Sequence, residues 1–222
     1  MSQDLSIVMI GATGAVGTQV VKALVAMDSV ARITLLGRSP FDAVKSYKIT
    51  QHVVDVMKPE TYAALLEDHR AAICTLGVGE PSKASRADFV RIDKDAVLAF
   101  GTACKAAGIK HFELLSSVGS NDKSRSFFLR TKGELNSGLA NLGFERLSLF
   151  QPSMILTPAN RYGLTQGLTL AIWPKLHPIL VGSARKYRGI KVANLGQAFA
   201  ANLATGGVGV EIFHWDEITA LV

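Results

Sequence analysis

Three glycines near the start of the chain, Gly11, Gly14 and Gly17, have a spacing that suits the binding of a phosphate anion. An apolar run over 5–10 precedes them. A helical apolar stripe follows them and consists of Val16, Val20, Leu24 and Met27. The order of strand, glycine turn and helix is the setting in which such a turn binds the diphosphate of a dinucleotide. A tight turn without a ligand is the alternative, and the position and flanks of the glycines favour binding.

The three glycines have separate roles in such a turn. Gly11 permits a sharp exit from the strand, Gly14 has no side chain to keep a phosphate away, and Gly17 lets the helix pack close to the sheet. The N-terminus of the helix adds unpaired N–H groups and a partial positive charge. The predicted diphosphate-binding residues are Gly11, Thr13, Gly14, Ala15, Val16 and Gly17.

The end of the second predicted strand bears on which nucleotide is bound. A fold that binds NAD usually has an acidic residue there for the ribose 2′-hydroxyl. This chain has no acid at that point and reads Gly37-Arg38-Ser39. Arg38 can pair with a 2′-phosphate, with Ser39 as a second donor, although Arg38 can also be a solvated surface residue. The missing carboxylate is the stronger observation, so we expect NADP(H) as the preferred cofactor, with NAD(H) possible.

A lysine within an apolar helical stripe is the second feature that could do chemistry. The stripe consists of Phe128, Lys132, Leu135, Leu139 and Leu142. A lysine among apolar neighbours is out of place unless its ammonium reaches a cleft or snorkels to the surface. The cleft is the interpretation we favour.

The elements that must position these residues alternate along the chain. Strand patterns cover 5–10, 31–36, 49–56, 71–76, 111–115, 147–150 and 210–213, and helical patterns cover 59–69, 85–107 and 124–142, with a strand and then a helix over 190–203. This alternation predicts an α/β fold with a parallel, doubly wound sheet covered on both faces. Ligands bind at the carboxyl ends of such strands. The sites therefore belong at Gly11, Gly37, Gly77, Ser116 and Pro152.

Length and composition limit the class of protein. The 222 residues, 48% hydrophobic and 19% charged, predict one folded domain over 1–222. The proline-containing stretch 157–186 has a looser pattern, which indicates a lid or small substrate lobe. No apolar run is long enough for a bilayer and no secretion signal is visible, so a cytoplasmic protein without a membrane partner is expected.

Other partners are disfavoured by the pattern of charged and metal-binding residue types. The net charge is +6, but the lysines and arginines are spread along the chain, which makes nucleic acid an unlikely partner. Cys74 and Cys104 have neither zinc nor redox spacing, and the five histidines have no ligand partner at a useful spacing, so no metal is expected. The sequence is compatible with a homo-oligomer and does not define the oligomeric state.

Several motifs together resemble the atypical short-chain dehydrogenases/reductases, and among them the branch of Tat-interacting-protein-like oxidoreductases. They are the glycine turn, Leu36-Gly37-Arg38, Cys74-Thr75-Leu76-Gly77, Val90-Arg91-Ile92-Asp93-Lys94-Asp95, Leu114-Leu115-Ser116-Ser117 and Lys132-Gly133-Glu134. The resemblance covers nearly the whole chain and implies a three-layer Rossmann fold with a small C-terminal lid lobe.

The resemblance also implies a catalytic Ser, Tyr and Lys, with the Tyr four residues before the Lys. Lys132 matches the lysine, and Ser116 or Ser117 matches the serine. The tyrosine position is Phe128, which cannot donate a proton. Tyr187 and Lys191 repeat the spacing, but Gly189 and the strand pattern that follows exclude a shared helical face. Tyr162, in the predicted lid, is the better stand-in.

Further contacts with the dinucleotide follow from the same resemblance. Asp55 and Val56 would touch the adenine, although Asp55 can also be a turn residue. Thr75, Leu76 and Gly77 would line the dinucleotide, and Pro152 and Ser153 would face the nicotinamide. The expected function is an oxidoreductase for an unknown small carbonyl or alcohol. The alternative is a sensor or regulatory protein that binds the dinucleotide without turnover, which Phe128 favours.

Overall fold

The short apolar runs of the sequence form parallel strands in the computed structural model, which describes residues 4–79, 84–157 and 179–222. The strands are β1 (Leu5–Ile10), β2 (Val30–Gly37), β3 (Ile49–Val53), β4 (Ala71–Cys74), β5 (His111–Leu115), β6 (Arg146–Phe150), β7 (Ile155–Leu156), β8 (Ile190–Lys191) and β9 (Gly209–Phe213). Seven of them form one sheet in the order β3-β2-β1-β4-β5-β6-β9, and β7 pairs with β8. All of these pairings are parallel.

The order of the strands changes direction between β1 and β4. Ile10 lies opposite Leu36 of β2 and opposite Cys74 of β4, so β1, β2 and β4 end at the same edge. Connections from neighbouring strands leave in opposite directions at such a point and open a crevice. The glycine turn begins directly at this crevice.

Helices cover both faces of the sheet. They are α1 (Ala15–Ala26), α2 (Arg86–Val90), α3 (Ala96–Ala106), α4 (Phe127–Asn141), α5 (Val192–Asn202) and α6 (Trp215–Ala220). A π-helical turn, Arg91–Asp95, joins α2 to α3 in one continuous helix. The resulting three-layer Rossmann-like fold confirms the predicted fold class.

The core consists of two apolar clusters, one on each side of the sheet. Alternate residues of β1 enter different clusters: Ile7 and Met9 pack toward α1 and α5, whereas Val8 and Ile10 pack toward α3 and α4. Burial on both faces explains why this strand is a continuous apolar run. Cys74 and Cys104 are free thiols buried in the second cluster.

Some predicted elements differ from the structure. The helix predicted over 59–69 is wrong, because that segment forms two short 3₁₀ turns, Pro59–Thr61 and Ala63–Leu65. Tyr62 separates them with a non-helical backbone (φ −139°, ψ −3°), and its ring is buried edge-on against Phe100 at 6.0 Å. Because the Tyr62 ring packs into the core, the chain does not continue as a helix at this point.

The predicted lid falls mostly outside the described residues. Positions 158–178, which include Tyr162, are not described, and 182–187 form 3₁₀ turns beyond them. Within the described ranges, no helix combines the length and hydropathy needed to cross a membrane.

Candidate dinucleotide and active site

The glycine turn is built so that two of its glycines cannot be replaced without moving the backbone. Gly11 has φ +87°, and a Cβ there would lie 2.5 Å from the backbone nitrogen of Leu76. A Cβ on Gly17 would collide with the carbonyl oxygen of Gly11 and approach Thr75 Oγ1 to 2.8 Å. The backbone at the start of α1 therefore packs directly against the residues that follow β4.

Gly14 has a different environment from the other two glycines. It is exposed and precedes α1, and a Cβ there would meet only the carbonyl oxygen of Gly11, at 3.3 Å. The Gly14 N–H donates to that oxygen at 3.1 Å, which closes the turn. The protein itself thus leaves room at Gly14, which is where a phosphate would approach the backbone.

A cleft of about 190 Å³ opens at this edge of the sheet. It brings together nine predicted cofactor contacts: Gly11, Thr13, Gly14, Arg38, Ser39, Val56, Thr75, Leu76 and Gly77. Ala15, Val16 and Gly17 follow in the first turn of α1, outside the lining. The cleft is also lined by Phe41, Gln51 and His52, which the sequence analysis missed. Gln51 and His52 lie in β3, so a strand-order prediction would have placed them beside Arg38.

Arg38 and Ser39 are exposed at the rim of the cleft. Arg38 makes no ion pair with a carboxylate anywhere in the described part of the chain. Its charge is therefore available to an anionic ligand at this rim.

Asp55 and Val56 are placed differently from each other. Val56 is buried and lines the cleft, whereas exposed Asp55 is not part of the lining. Asp55 Oδ1 accepts from the Met57 N–H at 3.0 Å, and Oδ2 lies 3.9 Å from Lys58 Nζ. Asp55 thus stabilises the turn after β3, and its contact with an adenine stays a prediction.

Lys132 reaches a buried carboxylate at the end of the cleft. Its Nζ lies 2.8 Å from Asp93 Oδ1, and the two residues are 6% and 4% exposed. Asp93 Oδ2 accepts from the Val78 N–H at 2.8 Å, and a Cβ on Gly77 would lie 3.0 Å from Oδ1. Asp93 therefore joins α4 to the loop after β4, whose first residues line the cleft.

Asp93 is a site residue that the sequence analysis quoted within a motif without giving it a role. It belongs to the π-helical turn, a feature that often marks functional sites because its extra residue re-aims the side chains. The sequence does contain a signal for this role: Asp93 is an acidic residue at the start of an apolar helical stripe that continues as Val97, Phe100 and Cys104.

The two candidate serines have different environments. Ser116 is buried, and its hydroxyl donates to Asn136 Oδ1 of α4 at 2.9 Å. Ser117 is half-buried, and its carbonyl accepts from Ser120 Oγ at 2.6 Å. Ser116 is thus held by α4, whereas the Ser117 hydroxyl has no hydrogen-bond partner among the described residues; which of the two serines faces a ligand stays a prediction.

The loops after β5 and β6 are joined beside these serines. The Val118 N–H donates to the carbonyl of Pro152 at 3.1 Å, and Pro152 is buried while Ser153 is half-buried. This bond places the predicted nicotinamide contacts next to the serine pair.

Phe128 stands one turn before Lys132, and its ring lies 5.3 Å from that of Phe89. A phenyl ring can neither donate nor accept a proton, so α4 carries no general acid at this position. Tyr187 ends a 3₁₀ turn and Lys191 ends β8, so these two residues share no helical face.

Burial determines the protonation of Cys74, a cysteine close to this site. Cys74 ends β4, and burial raises the pKa of its thiol to about 12. The thiol is therefore protonated at neutral pH and is a packing group rather than a nucleophile. In the described residues, no cluster of three or more His, Cys, Asp or Glu could hold a metal ion.

The fold and the glycine turn define a dinucleotide-binding α/β protein of the Rossmann type. The chain belongs to the NAD(P)H-binding family, whose model matches residues 11–142. The candidate cleft and Lys132 both lie within the matched range.

Two relatives show how far the similarity extends. Protein HTATIP2 of Rattus norvegicus is 36% identical over 156 residues, which cover 69% of this chain and 64% of that protein. The matched part is thus less than two thirds of the rat protein's length. Protein FMP52, mitochondrial, of Debaryomyces hansenii is 26% identical over 210 residues, or 92% of each chain.

Solved structures agree on the fold. A structure described as MoeE5 in complex with UDP-glucuronic acid and NAD has a TM-score of 0.72 at 14% identity, over 94% of this chain and 75% of that one. The oxidoreductase ylbE from Lactococcus lactis has a TM-score of 0.67 at 16% identity, over 98% and 96%. At these identities the likeness concerns the fold alone.

Proposed function

We propose that the protein is an NADP(H)-dependent oxidoreductase that acts on a small carbonyl compound or alcohol. The observation that carries this proposal is the buried Lys132–Asp93 pair at the end of the dinucleotide cleft. A buried ion pair is a weak contributor to stability, because desolvation of both charges opposes their attraction. Its place beside the cleft therefore favours a role in binding over a purely structural one.

The residues of the site have distinct tasks in this proposal. A bound nicotinamide supplies or accepts the hydride. The Lys132 ammonium holds the ribose hydroxyls, with Asp93 fixing its position, and the Ser117 hydroxyl donates to the substrate oxygen. Because Phe128 cannot donate a proton, water or Tyr162 would protonate that oxygen. A positioned general acid typically contributes about 10²- to 10⁴-fold in rate, so turnover should be slow.

The preference for NADP(H) is supported by exposed Arg38 at the rim of the cleft and by the absence of an acid at the end of β2. Titration with NADPH and with NADH, followed by nicotinamide fluorescence, tests the cofactor. We expect tighter binding of NADPH. No binding of either nucleotide at millimolar concentration would refute the proposal.

A sensor that binds the dinucleotide without turnover is the second candidate, and Phe128 favours it. The variant Phe128→Tyr separates the two functions in a screen of carbonyl compounds with NADPH. We expect weak reductase activity in the wild type and a rise in the variant, since the proposed site then lacks none of its three side chains. Absence of activity from both proteins, with NADPH still bound, favours the sensor.

The cellular location stays a prediction. We propose the cytoplasm, whereas the fungal relatives are named mitochondrial proteins. Fractionation of cells that contain the native protein tests this.

A further inference from the structure

A second cavity, of about 320 Å³, lies between the first turns of α2 and α4. It is lined by Ala84, Arg86, Phe89, Ser126, Phe127 and Phe128. Among the described residues, none lines both this cavity and the dinucleotide cleft. Its volume is within the range of small-molecule sites.

The cavity lies next to the Lys132–Asp93 pair. Phe89 contacts Phe128 at 5.3 Å, and Asp93 contacts Lys132 at 2.8 Å, so these are successive contacts between two parallel helices. Four residues of helix rise about 6 Å, which separates the two contacts by roughly one turn. A molecule with its reacting carbon near Lys132 can therefore place its remaining atoms in this cavity.

The walls of the cavity are aromatic. The Phe89 ring lies 5.9 Å from Phe127 and 5.3 Å from Phe128, with tilted planes. Aromatic rings prefer offset or edge contacts with other aromatic groups at such spacings. These walls suit a planar apolar group.

Arg86 adds one positive charge to these walls. Its guanidinium lies 5.1 Å above the Phe127 ring, and no described carboxylate pairs with it. Asp88, on the same helix, is occupied by the Ser85 hydroxyl at 2.7 Å and by Arg91 at 2.9 Å. No acidic residue is among the described residues of the lining. The cavity therefore suits an anion attached to a planar group.

We propose that this cavity is a substrate subsite and that the substrate is a carbonyl compound with an aryl group and a carboxylate. The inference rests on the proposed function and names its substrate class. In the reduction, NADPH gives a hydride to the carbonyl carbon, the C=O π bond breaks, and water supplies the proton to oxygen. The products are an aryl hydroxy acid, NADP⁺ and the hydroxide left by that water.

Binding of a probe that cannot be reduced tests the subsite without turnover. Benzoate binding to the whole chain is measured by ligand-observed NMR, with and without NADPH, against neutral benzyl alcohol. We expect benzoate to bind better than benzyl alcohol. Arg86→Ala should weaken benzoate binding at least about fivefold, because a charge-assisted contact is lost, and Arg86→Lys should restore part of it.

Arg125→Ala is the matched control, since Arg125 is exposed, directly precedes Ser126 and is not part of the lining. It should leave benzoate binding unchanged. The proposal fails if wild type does not bind benzoate, or if Arg86→Ala has no greater effect than Arg125→Ala. Circular dichroism checks that both variants are folded.

Two outcomes separate this inference from the proposed function. If the protein binds NADPH and reduces other carbonyl compounds but does not bind benzoate, the proposed function holds and the proposed subsite is refuted. If the protein binds benzoate through Arg86 but binds no nucleotide, the anion-binding cavity holds and the proposed function is refuted. With turnover established, phenylglyoxylate should be a better substrate than pyruvate, and Arg86→Ala should raise its KM.

Discussion

At the scale of single residues, the Lys132–Asp93 pair is the part of the site that the proposed function assigns to the nicotinamide ribose. Both charges are buried, and Asp93 also accepts from the Val78 N–H, so the pair links α4 to the loop after β4. Removal of one buried partner leaves the other without compensation, which typically costs about 3–5 kcal/mol. If the pair holds the cofactor as proposed, it affects both stability and cofactor binding, and a double variant separates the two effects.

The variant Asp93→Asn keeps the shape of the side chain and removes its charge. We expect a decrease of about 3 kcal/mol in the free energy of unfolding, together with weaker NADPH binding. The double variant Asp93→Asn/Lys132→Met should recover much of the stability but none of the binding. Urea denaturation and NADPH titration measure the two effects. Recovery of NADPH affinity in the double variant would show that Lys132 does not hold the cofactor.

Arg38 offers a test of cofactor selectivity. Arg38→Ala should weaken NADPH binding about tenfold, the effect of losing one charge-assisted contact to a phosphate, and should leave NADH binding unchanged. Lys58→Ala is a control for net charge, because exposed Lys58 lies outside the cleft lining. Equal losses for NADPH and NADH would contradict a role for Arg38 at the 2′-phosphate.

At the scale of elements, periodicity and glycine chemistry predicted the sheet, the turn before α1 and helix α4. Burial patterns of single elements carry this information, so most predicted boundaries lie within a few residues of the structure. The contact of Asp93 with Lys132 and the different environments of Ser116 and Ser117 could not be predicted. They depend on which residues of different elements meet, and on a π-helical turn that leaves no periodic signal.

The packing of α5 against α1 gives a test at this scale. A Cβ on Gly196 of α5 would lie 2.5 Å from Gln19 Cβ and 2.6 Å from the backbone carbon of Gln19. Because backbone cannot yield as a side-chain tip can, Gly196→Ala should force α1 away from α5. Overpacking of this kind costs about 1–3 kcal/mol, partly offset by the higher helix propensity of alanine.

Gly138→Ala in α4 is the matched control for this substitution. A Cβ there would meet only the end of the Leu98 side chain, at 3.2 Å, which can move. We expect thermal denaturation to show a lower Tm for Gly196→Ala and an unchanged or higher Tm for Gly138→Ala. NADPH affinity should also fall in Gly196→Ala, since α1 carries the glycine turn. Equal Tm values for the two variants would contradict this account of the α1–α5 contact.

At the scale of the whole molecule, the cleft and a buried polar network occupy different parts of the sheet. The carboxyl ends of the strands hold the cleft, whereas a polar network spans β5, β6, β9 and the end of α5. In it, Arg146 donates to Glu211 Oε2 at 2.6 Å, and Asn202 donates to Glu113 Oε1 at 2.7 Å. This network ties β9 and α5 to the rest of the sheet, so its protonation should affect global stability.

Two buried groups of β5, Glu113 and His111, have pKa values that are shifted in opposite directions. Burial raises the pKa of Glu113 to about 8 and lowers the pKa of His111 to about 3. The folded protein thus holds a proton on Glu113 that the unfolded chain releases above its ordinary pKa of about 4.5, so stability falls as the pH rises toward about 8. His111 stays neutral in the folded protein while the unfolded chain takes up a proton below about 6.5, so stability falls as the pH drops toward about 3.

The free energy of unfolding should therefore be highest between about pH 4.5 and 6.5, where the two contributions oppose each other. Glu113→Gln should remove the decrease between about pH 6.5 and 8, because an amide keeps the contact with Asn202 and does not ionise. Glu145→Gln, at an exposed salt bridge with Lys110, should retain the wild-type pH profile. Urea denaturation across this pH range measures all three proteins. A decrease above pH 6.5 that persists in Glu113→Gln would assign it to another group.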